Sequence, residues 1–447
     1  MGRNNTNTSD CLYLGIDVGG TKIQISLVRQ SGLILGRLRR QTPPGCPPEE
    51  AIELISRASG ELLTEHGLER GDIRAAGLAV AGIVDPDAGR IVITANMNLS
   101  GMAIVEPLQA ALGVPVTLGN DTNLGVLGEK WLGAARRASS VFGMFVGTGI
   151  GGGMIFGDLL WQGYRQAGGE IGHMVMEIDG PHCGCGKHGC LEALASRWAI
   201  QRDIQQAIKR GVRTAVTSLA PEGDYTVIRS GVLRKALDRQ DKLVCQVVRR
   251  AAEYIGHACV NIRNVIDPEV IVLGGGVIEA CGEYILPIIQ KVVDADPFPG
   301  ARPGGWIRLA ALGDDSVVLG AVALAQMHVG ADPFAAVNAA PPEYPTLSVQ
   351  ADGAIVVGDQ VHGRHLILHA DGIIEPNDQD DAVWSIDQRL KAKQLARICR
   401  GGPEIIYIGH LALRAIEVDI LQTSDAIAAY NQSTRRRAAV LVADERD

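Results

Sequence analysis

The chain has 447 residues, 46% apolar and 21% charged, a balance that supports buried cores and excludes disorder over most of its length. Acidic residues outnumber basic ones by 50 to 42, a formal charge of −8, which argues against nucleic acid as a partner; no apolar run is long enough to cross a membrane. Glycine is abundant at 55 residues, and three of nine cysteines fall at 183–190, which favours tight loops and a metal cluster in a reducing compartment over a disulfide framework.

Residues 1–11 are polar, carry no apolar signal core and read as a tail. An apolar strand at 12–18 runs into Gly19-Gly20-Thr21 and returns as a strand at 22–28, a hairpin. Apolar residues at helical spacing predict a helix over 51–66, stopped by Gly67. A strand follows at 73–81, a hairpin at 84–94, and a buried strand at 114–118 that ends in Gly119-Asn120-Asp121. The pattern then restarts: a strand at 141–146, a glycine-rich turn from Gly147 to Gly153, and another strand. Helices are expected at 191–210 and 244–265, a strand at 270–273 entering Gly274-Gly275-Gly276, and a closing helix at 317–328. Alternating strands and helices indicate an α/β architecture. This organises the chain as a first lobe over 12–120 and a second over 121–330, whose last helix can pack back on the first. Prolines mark 331–346 as a linker. Residues 347–447 read as a separate small α/β domain, with strands at 354–357, 365–368, 404–408, 416–420 and 438–442 and helices at 387–398 and from Ser424.

The turn at Gly19, Gly20, Thr21 and Lys22 can aim backbone N–H groups at phosphate, and Asp17 before it suits the water shell of Mg²⁺; the plain alternative is an ordinary glycine turn. A second loop of the same layout, Gly147-Thr148-Gly149, allows two lobes to grip one triphosphate from opposite sides. No GK[ST] follows either loop, which disfavours a P-loop enzyme. Asp121 at the lobe junction can accept the proton of an attacking sugar hydroxyl, or can simply cap a helix starting at Thr122. His173, Cys183, Cys185 and Cys190 follow one another with nine, one and four intervening residues, a closed N/S₃ shell for structural Zn²⁺; His182 and His188 are rival ligands, and a disulfide is the other reading of the cysteines. Glu170 and Glu192 flank this cluster, where pinned carboxylates can accept from sugar hydroxyls or simply face solvent.

The motifs GIDVGGTK (15–22), GLAVAGIVDP (77–86), GNDTN (119–123), VGTGIGGG (146–153), GEIGHM (169–174), CGCGKHGCLEALAS (183–196) and DPEVIVLGGGV (267–277) together resemble the ROK family of bacterial glucokinases, other hexose kinases and sugar-responsive repressors. The resemblance implies a two-lobed actin-like ATPase (ribonuclease H-like) fold, with Asp121 as catalytic base. It implies sugar contacts from Asn98, Asn120, Glu170, His173 and Glu192, with His173 also the zinc ligand. Asn98 lies in MNLSGM, where Met102 replaces the family's usual tryptophan. Thr148 matches the second phosphate loop and Gly274 and Gly275 the loop at the nucleotide's adenosine. The implied activity is a cytoplasmic glucokinase using ATP, Mg²⁺ and structural Zn²⁺, as a homodimer or homotetramer. Kinases for N-acetylmannosamine or fructose, or a non-catalytic sugar sensor, are the alternatives. Gly169, where fructokinases tend to carry proline, favours the glucokinase-like members. Repressors of the family carry an N-terminal helix-turn-helix, for which a hairpin starting at Leu12 leaves no room. Residues 403–442 resemble a small α/β domain of uncharacterised prokaryotic proteins and of a mitochondrial complex I assembly factor, which implies no enzymatic role.

Overall fold

A computed structural model describes residues 11–335, apart from 44, 95, 96, 221, 222, 299, 302 and 303, together with residue 337 and six strands of the C-terminal segment. The chain divides into two compact units, Met1–Ala335 and Ala336–Asp447.

In the first unit, β1 (Leu12–Val18), β2 (Lys22–Arg29) and β3 (Ile34–Gln41) form an antiparallel meander. Helix α1 (Pro48–Glu65) opens on proline with Glu49 and Glu50 in its first turn, where the helix dipole favours negative charge. Its Leu54, Ile55, Leu62 and Leu63 enter the core of this lobe. Strand β4 (Ile73–Val80) pairs parallel with β1; the short hairpin of β5 (Ile83–Asp85) and β6 (Arg90–Ile93) and helix α2 (Val105–Leu112) lead to β7 (Val116–Asn120). The sheet order is β3-β2-β1-β4-β7. Helix α3 (Asp121–Leu132) follows β7 directly.

The second lobe repeats the plan: β8 (Ser140–Val146), β9 (Ile150–Phe156) and β10 (Leu159–Trp161), then β11 (Val270–Gly274) and β12 (Trp306–Leu309), in the order β10-β9-β8-β11-β12. Between β10 and β11 lie α4 (Leu191–Ala195), α5 (Arg197–Lys209), α6 (Val216–Leu219), α7 (Ser230–Asp238) and α8 (Lys242–Val265), and α9 (Gly276–Asp294) precedes β12. The helix expected over 191–210 is therefore two helices. Ser196 breaks it because its hydroxyl accepts the N–H of Ala199 at 3.2 Å and caps α5. Helix α10 (Ser316–His328) packs on β1 and β4 of the first lobe and across α3. Buried Glu129 on α3 accepts the N–H groups of Ala134, Ala311 and Leu312, so one carboxylate ties α3 to the loop before α10. Lys130 pairs with Asp158 at 3.0 Å and lies 5.3 Å from the ring of Phe334. Phe334 is only 1% exposed, so the segment expected as a linker from 331 is packed into the first unit at its start.

In the second unit, β13 (Thr346–Val349), β14 (Ile355–Asp359), β15 (Arg364–Leu368) and β16 (Ile374–Asn377) form an antiparallel meander, and β17 (Ile405–Ile408) and β18 (Leu411–Arg414) a hairpin. Strand β13 begins at Thr346, the last residue of the expected linker. The helices expected at 387–398 and from Ser424 and the strands at 416–420 and 438–442 lie outside the described residues, as does most of the 403–442 resemblance.

Candidate active site

The β1–β2 turn is held by Gly19 N–H donating to Lys22 O at 3.0 Å. Thr42 at the end of β3 ties the turn's carbonyls back: its hydroxyl donates to Gly19 O at 2.8 Å and its N–H to Thr21 O at 3.0 Å. The N–H groups of Gly20 and Thr21 are left without partners among the described residues, as an anion-binding turn requires. The second loop is built alike. Gly147 N–H donates to Gly149 O, and the first residues of α5 take its carbonyls, Arg197 N–H to Gly147 O at 2.9 Å and Trp198 N–H to Thr148 O at 3.3 Å. A Cβ on Gly149 would lie 2.2 Å from Glu192 Oε2, and that oxygen accepts Ile150 N–H at 2.9 Å. One oxygen of Glu192 thus braces the second glycine loop, a task its expected sugar contact did not include. Gly275, at φ +86°, caps α9 against the backbone of Val146, which sets the Gly274-Gly275 turn at the root of the second loop.

Asp121 opens α3 but does not cap it. Asn120 Oδ1 accepts Asn123 N–H at 3.0 Å, and Asn120 Nδ2 donates to Gly82 O at 2.9 Å. Asp121 Oδ1 accepts the N–H of the adjacent Thr122 at 2.7 Å. Burial raises the Asp121 pKa above the ordinary carboxylate range; the Thr122 N–H and hydroxyl and the Asn120 amide oppose this, and the charge of Glu170 adds to it. Asp17, at the end of β1, is pushed up to about 6 by burial and then by the charge of Asp121, with Lys22 and Arg39 pulling the other way. Asp121 thus acts on Asp17, and Glu170 on Asp121. Asp314, which the sequence reading missed, also acts on Asp17 and is held by Arg39 at 3.3 Å.

Exposed Glu170 lies 4.0 Å from His173 Nε2 through its Oε2. The other ring nitrogen of His173, Nδ1, is 3.7 Å from Cys183 Sγ, and Cys185 Sγ is 3.7 Å from Cys190 Sγ. The four donor atoms lie within 4.8 Å of one another. A tetrahedral shell with Zn–S bonds of about 2.3 Å places its sulfurs roughly 3.8 Å apart, whereas a disulfide needs about 2.05 Å. The donor set and its spacing therefore fit zinc. The rival ligands His182 and His188 meet edge-to-face, with ring centroids 5.3 Å apart, and are not among the four donors. Burial pushes the Cys183 thiol up to about 12, a cost that a bound cation would reverse by stabilising the thiolate.

Asn98 sits exposed in a turn at the rim of a cavity of about 680 Å³ that also touches Gly20, Thr21, Thr42, Met97 and Leu99. This cavity adjoins the first glycine loop but is not lined by Asp121 or His173. Met102 packs against the first-lobe core.

Two lobes with the same strand order, each contributing a glycine loop beside a carboxylate at their junction, define the actin-like ATPase fold. The chain belongs to the ROK family, whose model matches residues 13–328. It is 32% identical to a glucokinase of Halalkalibacterium halodurans over 70% of this chain and 94% of that protein. It is 27% identical to a xylose repressor of Caldicellulosiruptor bescii over 70% of this chain and 77% of the repressor. Among solved structures, it aligns with a ROK family glucokinase from Streptomyces griseus in complex with glucose and AMPPNP, with a TM-score of 0.62 and 30% identity over 71% of this chain and 99% of that one. No helix among the described residues is long and apolar enough to cross a membrane.

Proposed function

We propose that the protein transfers the γ-phosphate of ATP to a hexose, with glucose as the sugar and its 6-hydroxyl as the nucleophile. The observation that carries this reading is Asp121: a carboxylate at the lobe junction, relieved of helix capping by Asn120, whose charge acts on Asp17 and which is acted on by Glu170. As the hydroxyl oxygen bonds to the γ-phosphorus, the bond to the β-phosphate oxygen breaks, ADP leaves, and the hydroxyl proton passes to the Asp121 carboxylate. Glu170 and His173 Nε2 orient the sugar, with His173 Nδ1 directed at the metal-ligand cluster so that the ring cannot turn. The N–H groups of the two glycine loops hold the phosphates. Mg²⁺ at Asp17, bound through water, would neutralise phosphate charge. Likeness to glucokinases at 30–32% identity supports the choice of sugar.

A panel of hexoses with ATP, read by ADP formation, tests this reading. Turnover with glucose exceeding that with N-acetylmannosamine, fructose and mannose is the expected result. Sugars that raise the melting temperature while none yields ADP would make the chain a sensor, the reading to which the repressor likeness points.

A further inference from the structure

The first glycine loop carries its own cation in sequence, Lys22, whereas Gly147 to Gly153 contains none. The fold supplies one from elsewhere. Arg197, the first residue of α5, donates its backbone N–H to Gly147 O at 2.9 Å and its Nη2 to the Thr148 hydroxyl oxygen at 2.5 Å. We propose that Arg197 is a donor-binding residue whose guanidinium contacts the polyphosphate of the nucleotide beside Thr148; this rests on the function proposed above.

Three features carry it. First, the guanidinium is not neutralised. Arg202 pairs with Asp203 at 2.7 Å and Arg37 with Asp315 at 2.6 Å, but Arg197 has no ion-pair partner among the described residues. Its hydrogen bond to Thr148 is exposed, so the guanidinium is open to an incoming anion. Second, the Thr148 oxygen accepts from Arg197, so its own hydrogen is free to donate, alongside the Thr148 and Gly149 N–H groups, which have no partner among the described residues. Third, the acid nearest the loop, Glu192, spends Oε2 on Ile150 N–H. Donors and one positive charge therefore converge on the loop, which suits the fork of a guanidinium to a phosphate.

The test uses full-length protein and compares binding of AMPPNP with that of adenosine, which lacks phosphate. Arg197→Met, which keeps much of the aliphatic stem, is expected to weaken AMPPNP roughly ten- to a hundredfold, the range for a hydrogen bond to a charged group, while adenosine binding and the KM for glucose stay unchanged. Arg197→Lys keeps the charge but loses the fork and should fall between; it also serves if the methionine variant fails to fold. The loss should persist in a Thr148→Val background, because the contact is direct. Wild-type affinity for AMPPNP in both variants, or a loss that vanishes in the Thr148→Val background, overturns the inference while leaving the kinase reading intact. Failure of the wild-type protein to bind AMPPNP overturns both.

Discussion

The side-chain oxygen of Asn120 accepts the N–H of Asn123 at 3.0 Å, and that bond frees Asp121, the residue between them in the chain, from capping the helix it begins. Asn120→Ala should therefore destabilise the fold by about 1 kcal/mol, the usual worth of a cap, and lower turnover as the helix end loosens. Asn120→Asp keeps a capping oxygen but sets a second negative charge beside Asp121. It also loses the Nδ2 donation to Gly82 O, so it too should lower the melting temperature, while moving the acid limb of the rate profile to higher pH. Thermal melts and pH–rate profiles of the two variants check this pair of outcomes.

Asp17, raised by burial to about 6 against an ordinary 3.8, binds its proton more tightly in the folded protein than in the unfolded chain. From pH 3.8 to about 6 the native state holds more protons, so Asp17 makes the protein less stable as pH rises, with the full penalty above about 6. Asp17→Asn should remove that penalty, stabilising the nucleotide-free protein near pH 7 by on the order of 3 kcal/mol, while abolishing turnover. Wild-type kcat/KM should fall as pH drops, with its acid limb above the ordinary carboxylate range, because Asp121, raised by burial, must be ionised to act as base. Melting temperatures across this window, with and without the substitution, check the sign.

Metal analysis of protein purified without chelator should find about one zinc per chain, from the His173, Cys183, Cys185 and Cys190 set. Stripping the metal, or Cys190→Ser, should lower the melting temperature and weaken sugar binding roughly ten- to a hundredfold, since His173 and its neighbour Glu170 lose their anchor. AMPPNP binding should change much less.

Gly149→Ala places a methyl group 2.2 Å from Glu192 Oε2. The carboxylate must leave Ile150 N–H, at a cost of roughly 1–3 kcal/mol, and the KM for ATP should rise as the loop loses its brace. Gly149→Ala combined with Glu192→Ala should be more stable than Gly149→Ala alone, which chemical denaturation can measure.

What was legible in the sequence was local. Both glycine loops lie between strands adjacent in the chain, and three cysteines of the candidate metal-ligand set fall within one short stretch, so spacing alone pointed to them. Asp121 was visible only as an ambiguity, because Asn120 and Asp121 are equally good capping residues and nothing in their order says which one caps. Residues brought in from afar were invisible. Arg197 meets Thr148 across 49 positions, and Asp314 meets Arg39 across 275. Strand β3 was missed because it has no fully buried residue and its apolar alternation is cut short by Arg39-Arg40-Gln41, although Arg37 and Arg39 pair with Asp315 and Asp314. The two lobes share a strand order, of which the sequence shows only the repeated strand and glycine-loop layout, since a sheet requires only apolar alternation and well-placed glycines. The buried Glu129 reads as a surface residue until the backbone of Ala311 and Leu312 reaches it.

Steady-state ADP formation from ATP and glucose by wild-type protein and Asp121→Asn, with glucose affinity measured on both, bears most directly on phosphoryl transfer with Asp121 as the base. The wild type should turn over, and the variant should bind glucose normally while losing on the order of 10²- to 10⁴-fold in kcat. An Asp121→Asn protein that keeps near-normal turnover, or a wild type that forms no ADP while binding glucose, would contradict it.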